Sequence, residues 1–140
     1  MSGFKRRARV LFLAGRYSVL AAQALQAGRE LGMEWLDYRA ASMVDQPVPD
    51  GLPQPESWAE TLLQQVDLLV AVDADVPQLT LPAGVQRRNY SFAVEGLEAS
   101  RSADRTVALQ LSNEKARQRI MGMVGGMRLM QKAAGGEDED

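Results

Sequence analysis

Two residue types are missing from the 140-residue chain, which contains neither cysteine nor histidine. Without cysteine, disulfides, thiolate nucleophiles and sulfur ligands to a metal are excluded. Without histidine, the usual general base near neutral pH and the commonest metal ligand are gone. Ser-His-Asp and Cys-His mechanisms are therefore excluded. A transition-metal site would need carboxylates alone, and neither a metal nor a cofactor is expected. No apolar run in the sequence approaches the roughly 18 residues that a membrane-spanning helix needs. An excess of one charge is lacking too. Sixteen basic residues face 18 acidic ones, a formal net charge of -2, so nothing pulls the chain globally toward nucleic acid or a membrane.

What is present suits one small domain: 46% of the residues are hydrophobic and 24% charged, enough for a single core and too little for two. Residues 1–9 are basic, but no signal-peptide core follows them, so a cytoplasmic bacterial protein is expected. Residues 8–14 (ARVLFLA) are a continuous apolar run rich in β-formers, the pattern of a parallel strand buried on both faces. A tight loop at 15–18 leads into a predicted helix over 19–31. Leu20, Ala24, Ala27 and Leu31 share one face of it, and Gly32 stands at its end. A second strand over 33–40 completes a right-handed parallel unit.

Pro47, Pro49, Pro53 and Pro55 make 43–55 a loop. Ser57 and Glu60 have the spacing of a capping box for a short helix through Gln65. Residues 66–72 (VDLLVAV) read as a third buried strand and 85–92 as a fourth, at a sheet edge. From 102 to about 132 the pattern is helical, with Ile120, Met123, Val124, Met127 and Met130 in one stripe and a kink expected at Ser112-Asn113. Residues 1–134 are read as one domain and 135–140 as a disordered acidic tail. The expected architecture is a three-layer α/β sandwich with a roughly four-stranded parallel sheet. Ligands of such sheets bind at the carboxyl ends of the strands, here the loop after residue 14, near 73–77 and 92–96.

Residues 10–25 (VLFLAGRYSVLAAQAL) resemble the opening of low-molecular-weight tyrosine phosphatases and thioredoxin-coupled arsenate reductases. Residues 66–72 resemble that family's third strand. Residues 82–90 are similar to the proline-glycine, basic segment of the reductases. The resemblance implies the phosphotyrosine protein phosphatase I-like fold and a phosphate loop after the first strand. It also exposes the departures. Ala14 stands at the nucleophile position, and the loop arginine is replaced by Ser18 or, without a gap, by Leu20. The family's acid is absent unless Glu95 serves, and the resolving thiols of the reductases have no counterpart.

Gly15, Arg16, Tyr17 and Ser18 form the candidate anion or ligand loop, through amides at a helix start and the donors of Arg16 and Ser18. The plainer reading is a strand-to-helix turn with Ser18 as N-cap. Asp73, Asp75 and Glu95 are the candidate neighbours. Two acids there argue against an oxyanion, and such residues more often cap turns. Lys5, Arg6, Arg7 and Arg9 read as a solvated edge, since no aromatics interleave with them. Met121, Met123, Met127 and Met130, with Gly122, Gly125 and Gly126, suggest close packing on the sheet, a protein partner or a homodimer interface. These features favour a catalytically inactive binding or regulatory module. The alternatives are repurposed chemistry in the same cleft using Ser18, Tyr17, Asp73 or Glu95, weak oxyanion binding, and a phosphotransfer domain similar to the sugar-transport IIB proteins. Ala14 disfavours the last, because those proteins also place a cysteine there.

Overall fold

The computed structural model describes residues 8–31 and 36–139, with side chains through residue 126. The chain runs β1 (Ala8–Ala14), α1 (Ser18–Leu31), β2 (Leu36–Ser42), β3 (Glu56–Ser57), a 3₁₀ helix (Glu60–Gln65), β4 (Leu68–Ala71), β5 (Gln86–Asn89) and α2 (Ser102–Glu139). The strands form one parallel sheet in the order β3-β2-β1-β4-β5. From central β1 the chain moves outward to β2 and β3, then returns to the other side as β4 and β5. The strand order thus reverses between β1 and β4, and their carboxyl ends flank the crevice where such sheets hold ligands.

The sheet has one strand more than the sequence suggested, because Glu56 and Ser57 pair with Ala41 and Ser42. Ser57 consequently caps no helix. Its hydroxyl donates to Asp45 Oδ1 at 3.0 Å, and Ala59 at the N-cap of the 3₁₀ helix provides no side-chain cap. The edge strand β5 falls inside the predicted 85–92 segment. α2 passes Ser112-Asn113 without interruption. It also continues past Lys132 to Glu139, into the stretch expected to be a tail, as good helix formers such as Glu and Lys permit. Lys5, Arg6, Arg7, Gly32 and Asp140 lie outside the described residues.

One face of the sheet carries both long helices. Val10, Phe12 and Ala14 point toward Leu20, Ala21, Ala24, Leu25 and Ala27 of α1, and Ala116, Ile120, Met123 and Val124 of α2 join the same core. The alanines of α1 let it lie close to the sheet and still pack α2 on its other side. Closeness is sharpest at Gly28, where a Cβ would come within 2.9 Å of the Tyr38 ring. That ring stacks on Phe12 with centroids 5.9 Å apart. Among the described residues the opposite face, with Leu11, Leu13, Ala41, Leu69 and Ala71, is covered by the 3₁₀ helix and by loops bearing Trp58, Val76, Leu79 and Leu81. The third layer is therefore thin.

A polar clasp fixes α2 on α1. Gln23 is buried, donates to the Leu109 carbonyl at 2.9 Å and accepts from the Ser112 hydroxyl at 2.7 Å. Ser112→Ala would strand Gln23 Oε1 in the core and is expected to cost about 1–3 kcal/mol in urea unfolding. Adding Gln23→Leu should recover part of that loss, so the cycle reads a coupling between the two side chains.

Tyr38 carries the opposite feature, a buried hydroxyl oxygen with no partner among the described residues. Burial pushes its ionisation from 10.0 up to about 12. The unfolded chain loses this proton first, so the stabilisation is complete below pH 10.0 and is lost as pH rises toward about 12. Tyr38→Phe should leave neutral-pH stability unchanged or raised, and should flatten the alkaline decline in a melting-temperature profile.

Candidate functional site

At the carboxyl end of β1 the chain must turn sharply into α1, and the first amides of a helix have no partners within it. Here the amides of the turn leading into it converge on one side chain just past β4. Asp73 is 4% exposed. Its carboxylate accepts from the Gly15 amide at 3.1 Å to each oxygen, from Arg16 N at 3.0 Å and from Tyr17 N at 3.2 Å. The Asp75 amide donates to Oδ1 at 3.0 Å, closing an Asx-type turn. Consecutive amides of this kind form an anion-binding concavity. In this chain the anion is its own.

The remaining donors of the turn are also satisfied internally. Ser18 N donates to Gln46 Oε1 at 3.0 Å, and the Ser18 hydroxyl to the Val44 carbonyl at 2.8 Å. Ser42 Oγ lies 2.8 Å from Ser18 Oγ, because the β1–β2 register sets Ser42 beside Ala14. Ser18 is thus the first residue of α1, fully buried and turned toward β2; it is neither an N-cap nor a free donor. Arg16 reaches outward, its Nη2 2.9 Å from Glu98 Oε1 and its guanidinium 5.2 Å from the Tyr17 ring centroid. The Glu98 hydrogen bond raises the Arg16 pKa. Desolvation raises that of Tyr17, with Arg16 opposing. Being exposed, the Arg16–Glu98 pair adds little to stability.

The structure therefore brings Gly15, Arg16 and Tyr17 together with Asp73. Asp75 contributes its backbone amide, and its side chain is exposed. Glu95 is exposed, and among the described residues nothing joins it to Asp73, so the carboxylate pair that acid-base work in this cleft would need does not form. Ala14 is wholly buried at the strand end. Met123 lies in the core at 2% exposure and Met121 faces solvent at 57%, which removes Met123 from any interface. The side chains of Met127 and Met130 lie outside the described residues. A Cβ on Gly122, Gly125 or Gly126 would meet nothing within 4 Å, so close packing on the sheet does not account for them.

Beside the loop, Asp73, Val76, Arg87, Asn89, Tyr90 and Ser91 border a cleft of about 240 Å³. A larger one, about 590 Å³, lies at the opposite end of the sheet around Arg9, Asp37, Arg39 and Gln65. There Arg9 pairs with Asp67 and Arg39 with Glu56. The smaller cleft has the position that parallel sheets use for ligands. Gln46, Ser42, Glu98 and Arg87 had gone unnoticed in the sequence, since each reaches the loop or cleft from a distant segment. Among the described residues no group of three or more acidic side chains is arranged to hold a metal, and no helix is long and apolar enough to cross a membrane.

This arrangement, a central parallel strand ending in an amide-lined turn before a packed helix, defines the phosphotyrosine phosphatase-like α/β fold. Arsenate reductases share it with this chain. The one from Archaeoglobus fulgidus superposes with a TM-score of 0.62 over 83% of this chain and 98% of its own, at 17% identity. A thioredoxin-dependent arsenate reductase from Corynebacterium glutamicum also gives 0.62, over 93% of this chain and 65% of its own, at 14% identity. The present chain thus spans about two thirds of that protein's length. An arsenate reductase in the phosphate-binding state gives 0.57 over 85% and 98%, at 9% identity. Likeness at these identities establishes the fold. No family model and no curated protein matches the chain.

Gly15 is the steric condition for the Asp73 contact. A Cβ there would fall 2.4 Å from the Asp75 carbonyl carbon and 2.6 Å from Val76 N. Gly15→Ala must push the two turns apart and is expected to destabilise by about 1–3 kcal/mol in chemical denaturation. In an amide spectrum the signals of residues 15–17 and 75 should move.

Proposed function

We propose that this chain is a catalytically silent protein on the arsenate-reductase and phosphatase-like scaffold, acting in the bacterial cytoplasm as a binding or regulatory module. The observation that carries the reading is the self-contained loop: four successive amides, of Gly15 through Ser18, end on side-chain oxygens of Asp73 and Gln46. An oxyanion would have to displace a buried carboxylate to reach them. Two facts of the sequence support it further. Ala14 offers no nucleophile at the strand end, and no cysteine or histidine exists elsewhere to supply one or to activate a serine.

The competing readings have less support. Repurposed acid-base chemistry lacks its second carboxylate, since Glu95 stands apart from Asp73. Weak oxyanion binding needs free donors, and those of the turn are engaged. For a binding role the outer face of α2 is the fitting surface. Val107, Leu111 and Met121 are exposed there at 55%, 47% and 57%, and at 100° per residue they fall on one side of the helix.

The test is turnover. Wild-type protein should hydrolyse no aryl phosphate above background and reduce no arsenate with thioredoxin. Ala14→Cys should remain silent as well, because it restores the thiol without the free cradle. Turnover by the wild type that disappears with Asp73→Asn would replace this reading with the repurposed enzyme.

A further inference from the structure

We propose that Asp73 is a tethered ligand: its carboxylate permanently fills the oxyanion seat of the β1–α1 turn and supplies from within the chain the charge that folds that turn. The inference deepens the reading of a self-contained loop and rests on it. Three observations carry it.

The first is stoichiometric. A carboxylate has about four lone-pair positions, and Asp73 receives five contacts from four amides, all between 3.0 and 3.2 Å. Among the described residues no guanidinium or ammonium group is paired with it. The nearest guanidinium on the turn, that of Arg16, is drawn off to Glu98. The balancing positive potential is therefore that of the amides and of the α1 terminus. The second is steric. Gly15 and the backbone of Asp75 and Val76 are in such close approach that any side chain at residue 15 would collide. The turn and the Asp73 loop are fitted to each other as a pocket is to its occupant.

The third is that the flanks of the seat are also tied down by contacts that do not involve Asp73. Ser18 is anchored to Gln46, Val44 and Ser42, and β1 continues its ladder with Met43 N on Ala14 O and Val72 N on Leu13 O. The flanks of the turn are thus tied to the end of β2 and the segments just past β2 and β4, through the Ser42 and Gln46 side chains and the backbone of residues 43, 44 and 72, and the occupant comes from residue 73. Removing the carboxylate should leave a framed cradle of amides able to take a small anion of the same chemistry, a free carboxylate or inorganic phosphate.

The experiment uses the full chain with Asp73→Ala and Asp73→Asn, at neutral pH and matched ionic strength, with sodium chloride as the reference salt. Asp73→Ala should melt below the wild type. Formate or phosphate should raise its melting temperature in a saturable way and shift the amide signals of residues 15–17 and 75, while the wild type responds to neither. Asp73→Asn keeps the size and one acceptor oxygen but loses the charge. It should melt below the wild type and gain nothing from formate, because its seat is still filled.

An Asp73→Ala response no larger with formate or phosphate than with chloride would overturn the proposal, as would wild-type amides that shift to the same extent. If Asp73→Ala does not fold, Asp73→Asn decides: stability equal to the wild type means the charge is not what the turn requires, and the idea fails. A failure here leaves the silent-scaffold reading standing. Turnover by the wild type would sink that reading without touching the rescue result.

Discussion

The structure turns on a single carboxylate. Asp73 is buried at the end of β4 and is held by four backbone amides, three of them from the turn between β1 and α1. A charge taken out of water is costly unless it is fully hydrogen-bonded, and hydrogen bonds to a charged group contribute about 1.5–3 kcal/mol each. The same contacts answer the converse problem, the orphan amides at a helix start. Each side of the contact resolves the other's desolvation. Because β1 and β4 are the strands between which the sheet reverses, this one contact also ties together the two sides of the crevice that the topology opens.

Around it the rest of the molecule takes a consistent form. Gly15 allows the two turns to touch, Ser42 is brought beside Ala14 by the register of β2 on β1, and Ser18 is thereby turned inward. The alanine-rich face of α1 sets the helix close to the sheet, the loop just before it reaches Asp73, and the Gln23–Ser112 clasp holds α2 behind it. The dense side of the sheet is thus the side of the turn. The other side has a 3₁₀ helix and loops for cover.

How much of this was legible in the sequence follows from the range of the forces involved. The largely apolar runs at 8–14 and 66–72, each with one charged residue near its start, declared buried parallel strands, and the spacing of Leu20, Ala24, Ala27 and Leu31 declared a helix face. Those signals are local. Asp73 was visible as an acid after a buried strand, and it was read as a group that would repel an anion from the loop. Its actual position, inside the loop as the anion, depends on a contact spanning 56–58 residues, which no local pattern encodes. Gln46 and Glu98 were missed for the same reason. The two-residue strand β3 was too short to show any alternation, and its Ser57 imitated a cap. The α2 glycines suggested close packing and have open space beside them. Each costs about 1 kcal/mol relative to alanine in a helix, and no close contact among the described residues offsets that cost.

A turn that binds phosphate and a turn that binds its own aspartate solve one physical problem in two ways. In both, a strand ends, a helix begins, and several amides point into one small volume that must hold negative charge or water. A phosphate-binding turn leaves that volume for a ligand and accepts a less stable turn when none is bound. Filling it with a tethered carboxylate removes the entropic cost of capturing an anion from solution, since the effective concentration is set by the fold. On the proposed reading it also keeps external groups out of that volume at the strand end. With Asp73 in place, a thiol at residue 14 would face an occupied seat, and its absence costs the fold nothing. The small buried Ala14 is the residue that such a strand end can accept. On the proposed reading, the alanine at residue 14 and the internal anion are thus two sides of the same stable arrangement.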